Sequence, residues 1–450
     1  MRQNIIDKYN IPVPRYTSYP PANYFGTLGQ TEYIEAVKLS NTDENRNLSF
    51  YFHMPFCRHL CHYCACNSYA MGNSAKVNEY IDALHKEIDL LLPYIDKDRR
   101  ISQIHYGGGT PTAMPAQILK ELNQHILSHF GTIDKPEIAI ECHPGYLTLN
   151  DWSSLVDAGF TRFSIGVQDF DEKVLKAVNR RPTLEPIEEI FALLREAEAN
   201  INLDFLYGLP YQTVESFSST IERAIALQPD RLVTFSYAHV PWLKKQQLIL
   251  EKYGLPSVQT KETMFETSAQ LLQKAGYVRV GMDHFVRPHD ELYTALCQHR
   301  LHRNFQGYST QPDCDLVGLG VSAISKVGAV YSQNAKTLEE YQAPLEAGHL
   351  PVVRGLTASA DDLLRRAVIM AIMCQGRVRF ADIEAAHGIN FASHFAAELE
   401  RLRAMQGDGL VQVLPDAIQV TDMGWFFVRG VAMVFDTYVQ SARARFSKIL

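Results

Sequence analysis

Six short runs rich in aromatic and β-branched residues set the tightest limit on how this chain folds. They are Leu48–Pro55 (LSFYFHMP), Ile101–Gly107, Glu137–Pro144, Arg162–Gln168, Ile201–Gly208 and Arg231–Ala238. Each ends in a loop residue such as Gly, Pro or His and is followed by a helical stretch. Lys76–Leu92, for example, places Val77, Tyr80, Ile81, Leu84, Ile88 and Leu91 at spacings of three and four, and Ile187–Ala199 behaves similarly. Strands alternating with helices predict a parallel sheet joined by right-handed crossovers. Such a sheet curls toward a barrel, but six units fall short of the eight that close one. The expected fold class is therefore α/β, a partial (β/α)6 barrel open along one side, with a doubly wound sheet as the alternative.

The barrel accounts for residues 46–255 of 450. Before it lies an arm, 1–45, containing Pro12, Pro14, Pro20 and Pro21 and no clear periodicity. After it, 256–355 combines a helix at Ser257–Ala275 with Gly-rich turns and β-like runs, and reads as a barrel extension contributing to the active site. Residues 356–450 read as a mostly helical, winged-helix-like domain around a hairpin, Leu410–Val413 and Ala417–Val420, turned by Pro415 and Asp416. From Gly355 onward ten Lys and Arg face ten Asp and Glu, so this domain lacks the basic excess that phosphate contact requires. The net charge of -7 likewise argues against a protein that coats nucleic acid or an anionic membrane. No apolar run approaches the roughly 18 residues of a membrane-spanning helix. The opening MRQNIIDKYN has no signal-peptide pattern, so a reducing cytoplasm is expected.

Four of the eight cysteines lie within ten residues, at Cys57, Cys61, Cys64 and Cys66; Cys142, Cys297, Cys314 and Cys374 are scattered. Three thiolates on one compact loop suit an iron–sulfur cube, leaving one iron for another ligand or a substrate. The loop follows the first predicted strand, at the end of a β/α barrel where active sites are built. Zinc would want four N or S ligands, often as two separated pairs. Cys61 and Cys64 form one pair, with His53, His59 and His62 nearby, and no second pair exists. A redox dithiol is the remaining alternative. Cys66 stands one residue from Cys64, and two cysteines so close do not easily reach irons of the same cube. It reads as a non-ligand near the chemistry, or as a spare thiol.

The spacing Cys57-x3-Cys61-x2-Cys64 resembles the signature of the radical S-adenosylmethionine (SAM) enzymes. In that family three cysteines hold a [4Fe–4S] cluster and SAM occupies the open iron. Further segments, Pro14–Pro20, Cys66, Gly281–Phe285, Asn304–Tyr308 and Phe435–Tyr438, resemble the oxygen-independent coproporphyrinogen III dehydrogenases (oxidases) of haem biosynthesis. The resemblance spans nearly the whole chain. It implies oxidative decarboxylation of two propionates of coproporphyrinogen III to vinyls, through a 5′-deoxyadenosyl radical made from SAM. An outside electron donor of unknown identity and a monomer are expected. Two rivals are a haem-carrying chaperone with the same core and a zinc-bearing barrel enzyme without radical chemistry.

Other residues acquire roles by the same resemblance. Gly107–Thr112 follows the second strand; glycines let backbone approach a ligand, although three glycines alone are often only a turn. No Gly-Lys-Ser/Thr follows, so this is not a P-loop. The resemblance gives Gly108, Gly109 and Thr110 to SAM. Glu141, Gln168 and Asp204 interrupt apolar runs near strand ends, where a buried carboxylate needs a partner, if only a core Arg or an amide. Here the resemblance assigns Glu141 to the cluster-bound SAM, and Gln168, Arg180 and Asp204 to a second SAM. Tyr51, Tyr63, Ala238 and Ile324 match positions lining these sites, and each is otherwise plain core. The substrate's propionates call for arginine forks. Arg15, Tyr16 and Tyr19 in the arm, and Arg303, Phe305 and Gln306 farther on, are the candidates, with a surface location the alternative for both arginines.

Overall fold

The computed structural model describes residues 3–44, 47–310, 314–439 and 446–449. They form two compact units. The larger unit, Gly26–Ala275 with Asp313–Thr357, contains the parallel strands β1 (Asn47–Met54), β2 (Arg100–Gly108), β3 (Gly131–Cys142), β4 (Arg162–Gln168), β5 (Asn200–Tyr207) and β6 (Arg231–Ser236). They stand side by side in chain order. All six runs read from the sequence are strands. They read as nearly continuous apolar stretches because both faces of such a sheet are covered.

Helices α1 (Ser74–Leu91), α2 (Ala116–Leu127), α3 (Leu149–Asp157), α4 (Ile187–Glu196), α5 (Val214–Ala226) and α6 (Val258–Lys274) supply the cover. In α1, Asn73 caps the first turn by accepting the Lys76 N–H, and Val77, Tyr80, Ile81, Leu84, Ile88 and Leu91 are all buried. The expected apolar stripe is thus the packed one.

Beyond β1 the sheet continues with a strand that the periodicity did not reveal. β7 (Asp315–Leu319) pairs parallel to β1, Gly318 opposite Tyr51. Antiparallel β8 (Ile324–Val327), β9 (Val330–Asn334) and β10 (Val352–Thr357) follow. The pairing joins segments more than 250 residues apart, which no local pattern encodes. A buried ion pair, Arg99 to Asp315 at 2.8 Å, ties the start of β7 to the start of β2.

The other unit combines Met1–Phe25, Gly276–Pro312 and Ala358–Leu450. Helices Ala360–Gln375, Phe380–His387 and Ala396–Gly407 surround a three-stranded sheet ordered Arg377–Arg379, Ala417–Val420, Val411–Val413. The expected hairpin is present, with Leu414 N–H bonded to Ala417 C=O across its turn. Within the arm, Gln3–Tyr9 is helical, and Ile5, Ile6, Tyr9, Tyr16 and Tyr19 join the core of this unit. The helix Gln30–Ser40 belongs to the barrel unit instead. Among the described residues no helix is long and apolar enough to cross a membrane.

Candidate active site

The cysteine loop leaves the carboxyl end of β1. Its base is closed by a two-residue parallel pairing, Phe56 with Tyr69 and Cys57 with Ala70. Between these points nearly every turn is held from outside the loop. His62 N–H bonds to Val178 C=O, and Asn179 Nδ2 donates to Leu60 C=O. The segment after β6 binds the far side: Gln247 Nε2 to Tyr63 C=O at 2.8 Å, Gln246 Nε2 to Cys64 C=O, and Lys244 Nζ to Cys66 C=O at 2.6 Å.

The thiols meet donors of two kinds. Thr110 Oγ1 donates to Cys57 Sγ at 3.3 Å, and Arg180 Nη1 to Cys61 Sγ at 3.5 Å. Burial pushes the Cys57 thiol up to about 11, with Thr110 and Arg180 pulling the other way. Cys64 is brought down to about 6, first by the hydrogen bond from Cys66 and then by the charges of Lys244 and Arg180. Cys66 is raised by that same bond and sits at an exposed end of the loop. All eight cysteines are free. Among the described residues no three His, Cys, Asp or Glu side chains form a cage for a single metal ion. Three thiols on one pinned loop, next to a hydroxyl and a guanidinium, fit the ligand set of a cube-shaped cluster.

The glycine loop after β2 lies against the cysteines. Its Gly109 N–H bonds to Met54 C=O and Thr110 N–H to Phe56 C=O. Gly108 has φ +104°, and a Cβ there would stand 2.5 Å from the His53 ring; one on Gly109 would stand 2.7 Å from the Pro55 backbone. Only glycine permits this approach. Glu141, at the end of β3, accepts from Gly108 N–H at 3.3 Å and lies 3.3 Å from His105 Nε2. Tyr51 stacks on the His105 ring, and its hydroxyl meets His53 Nδ1 at 3.1 Å. Tyr51, Gly108, Gly109, Thr110 and Glu141 thus share one wall with the thiols.

Gln168 and Arg180 meet around Gly166. Gln168 has φ +70°, and a Cβ on Gly166 would lie 2.8 Å from the Gln168 amide and 2.9 Å from the Arg180 guanidinium. Arg180 Nη2 donates to Gly166 C=O, and its buried Nε has no partner among the described residues. Asp204 stands across from Gly166 on β5 and accepts from Ser164 Oγ at 2.7 Å and Asn202 Nδ2 at 3.0 Å. Tyr63 packs against an apolar cluster including Val174, Leu206 and Leu250. Ala238 C=O receives Gln247 Nε2, and Ile324 opens β8 opposite Gln333. Behind the turn that joins β7 to β8, Glu87 of α1 accepts from Gly320 N–H, Asn334 Nδ2 and Tyr341 OH at 2.6–2.7 Å. Burial outweighs these three donors and lifts its carboxyl to about 7.

The remaining candidates lie in the other unit. Tyr16 OH donates to Asp436 at 2.9 Å, and Tyr19 OH meets Thr437 Oγ1 at 3.1 Å; both rings are buried there. Arg15 is exposed. Arg303 is buried with its guanidinium over the Tyr308 ring, 4.7 Å from the centroid, and its Nε has no partner among the described residues. Phe305 and Gln306 form the two-residue turn of a hairpin in which Asn304 pairs with Gly307. Both polar side-chain atoms of Gln306 are buried without a partner among the described residues.

At sequence level the chain is 41% identical to the oxygen-independent coproporphyrinogen III oxidase of Pseudomonas aeruginosa, over 99% of this chain and 98% of that one. The chain belongs to the oxygen-independent coproporphyrinogen III oxidase family. The Escherichia coli K12 oxidase is also 41% identical over the same shares. A solved structure described as coproporphyrinogen III oxidase (HemN) from Escherichia coli, a radical SAM enzyme, superposes with TM-score 0.88 at 40% identity, covering 94% of this chain and 97% of that one. Family models for the radical SAM superfamily and the HemN C-terminal domain match residues 51–224 and 358–427. The partial barrel with a helical C-terminal region is thus the fold of this oxidase family.

Some residues at these sites escaped the sequence reading. His53, read from the sequence only as a histidine near the cysteines, and His105, which was not singled out, stand on neighbouring strands and complete the wall around Glu141. Asp283 and His284 form a 2.7 Å pair beside Arg303. Burial works to raise the Asp283 carboxyl, but the His284 hydrogen bond and the charges of His284, Arg303 and Arg15 hold it at about 2. The only signal for the last two was their place in Gly281–Phe285.

Proposed function

We propose that this protein oxidatively decarboxylates two propionate side chains of coproporphyrinogen III to vinyl groups, giving protoporphyrinogen IX. One observation carries the reading. Cys57, Cys61 and Cys64 share a loop pinned at the open end of the barrel, in a chain aligned end to end with oxidases of that name. When bound, a [4Fe–4S] cluster and SAM supply a one-electron cleavage whose carbon radical removes hydrogen from a propionate β-carbon.

The chain's own residues position that chemistry. Cys57, Cys61 and Cys64 hold the cluster, with Thr110 and Arg180 donating to two of the thiolates. Gly108, Gly109, Thr110, Glu141 and Tyr51 receive the SAM on the cluster; Tyr63, Gln168, Arg180, Asp204, Ala238 and Ile324 line its surroundings and a second SAM. Cys66 stands beside the open iron without ligating it. Arg303, Gln306 and Phe305, with Arg15, Tyr16 and Tyr19 of the arm, serve the substrate. The unpartnered polar atoms of Arg303 and Gln306 support this, because buried donors and acceptors without partners are costly and a carboxylate-bearing ligand satisfies them. We read the protein as a cytoplasmic monomer that takes electrons from an outside donor and does not act on nucleic acid or membranes. An anaerobic assay with SAM, a reductant and coproporphyrinogen III tests the function. Protoporphyrin and CO2 are the expected products; SAM cleavage that never yields either defeats the proposal.

A further inference from the structure

We propose that the surface around the first half of the cysteine loop is the docking site of an acidic one-electron carrier protein. The inference rests on the proposed function, in which the cluster must be reduced from outside before each SAM cleavage. One electron leaves the carrier and enters the cluster, so the carrier is oxidised by one electron.

The first half of the loop brings exposed side chains next to a buried thiol. Cys61 is buried, but its neighbour Leu60 is 37% exposed, and Arg58 and His59 are exposed before it. The turn after β3 packs against this stretch. Tyr146 stacks face to face on the His59 ring, and its hydroxyl meets His59 Nδ1 at 2.7 Å. Two guanidinium groups lie over the same Tyr146 ring, Arg58 at 5.4 Å and Arg181 at 5.2 Å from the centroid. Neither arginine makes an ion pair among the described residues. Leu184, 53% exposed, is anchored to the same turn through its N–H on Pro144 C=O.

The patch therefore has two leucines, an aromatic ring and a cluster of cations. The surrounding field has the same sign. Burial and then the charges of Arg180, His59 and Arg181 force the nearby His143 imidazole down to about 2. In a chain of net charge -7 this local excess of cations runs against the whole. A positive patch on an acidic protein selects its partner by charge and speeds the encounter. Redox encounters need little area, under about 1,200 Å², so a few cations around a small apolar centre suffice.

The test uses flavodoxin, an acidic flavoprotein, as the probe. Binding of flavodoxin to the full chain is titrated at low salt, with and without the cluster. Product formation driven by reduced flavodoxin is compared with that driven by dithionite. Reversing the patch in Arg58→Glu/Arg181→Glu is expected to weaken binding roughly tenfold or more and to remove its salt dependence. Flavodoxin-driven turnover should fall in parallel, while dithionite-driven turnover stays at the wild-type rate. Arg58→Gln, a milder change at an exposed site, should show a smaller effect in the same direction. Unchanged flavodoxin binding overturns the proposal. An equal fall with both reductants overturns it too, because the arginines then serve the reaction itself. A wild-type protein that binds flavodoxin through this patch but makes no product with either reductant keeps the docking site and defeats the functional reading.

Discussion

Glu87 makes the stability of the barrel unit depend on pH in a direction unusual for a carboxylate. Its folded-state value of about 7 lies above its ordinary 4.5. The stability contributed by its protonated form is therefore complete below pH 4.5 and is lost as pH rises through 7. That difference is worth about 3 kcal/mol. Glu87→Gln removes the titration and introduces one defect. Gly320 N–H and Tyr341 OH both donate to one carboxyl oxygen, and Asn334 Nδ2 donates to the other. An amide keeps the first acceptor but turns an NH2 toward the Asn334 NH2. Asn334 cannot simply flip, since its Nδ2 also donates to Gly320 C=O at 2.9 Å. Such a mismatch costs about 1–3 kcal/mol. The variant should be less stable than wild type at pH 5 by that amount, and level with it or more stable at pH 8. Urea unfolding of the cluster-free protein, followed through the transition of the barrel unit at both pH values, measures it. Parallel pH profiles for the two proteins would refute the reasoning.

Four further outcomes are expected. Cys57→Ser, Cys61→Ser and Cys64→Ser should each lose the iron-dependent visible absorbance and all SAM cleavage, whereas Cys66→Ser keeps much of its iron and loses product; full iron in Cys61→Ser contradicts the ligand assignment. Gly109→Ala forces a methyl to 2.7 Å from the Pro55 backbone and should cost about 1–3 kcal/mol, seen as a lower urea midpoint and poorer iron retention. Tyr16→Phe removes one donor from Asp436, which keeps the Tyr438 and Val439 N–H groups, so the helical unit should lose only about 1 kcal/mol in urea unfolding. Arg303→Lys should raise the KM for the porphyrinogen and leave iron content and uncoupled SAM cleavage near wild type; an unchanged KM removes Arg303 from the substrate site.

The parallel core was legible because its information is local. Each strand carries its own apolar run and each helix its own stripe, and right-handed crossovers then leave little choice of topology. The cysteine loop was legible for the same reason. β7 was not, since nothing in Asp315–Leu319 says that its neighbour is Phe50 and Tyr51. The roles of His53 and His105 were equally silent. A histidine in a strand looks the same whether it faces solvent or a glycine whose missing side chain makes room for it, as Gly108 does for His53. The arm showed no periodicity because its anchors, Tyr16 and Tyr19, are held through their hydroxyls by residues near the other end of the chain.

Those anchors have a consequence for how the protein is made. Tyr16 waits for Asp436, 420 positions later. At about 5–20 residues per second, some 20–80 s of synthesis separate the two. Throughout that interval the arm's tyrosines, with Ile5, Ile6 and Tyr9, have no finished core to enter, whereas the last strand of the barrel sheet is synthesised by Thr357, well before Asp436. The nascent chain thus carries a completed barrel and a sticky, unplaced leader side by side. The arm is then the apolar segment still without a core, so slowing translation of the last hundred codons should aggravate aggregation more than slowing it anywhere earlier.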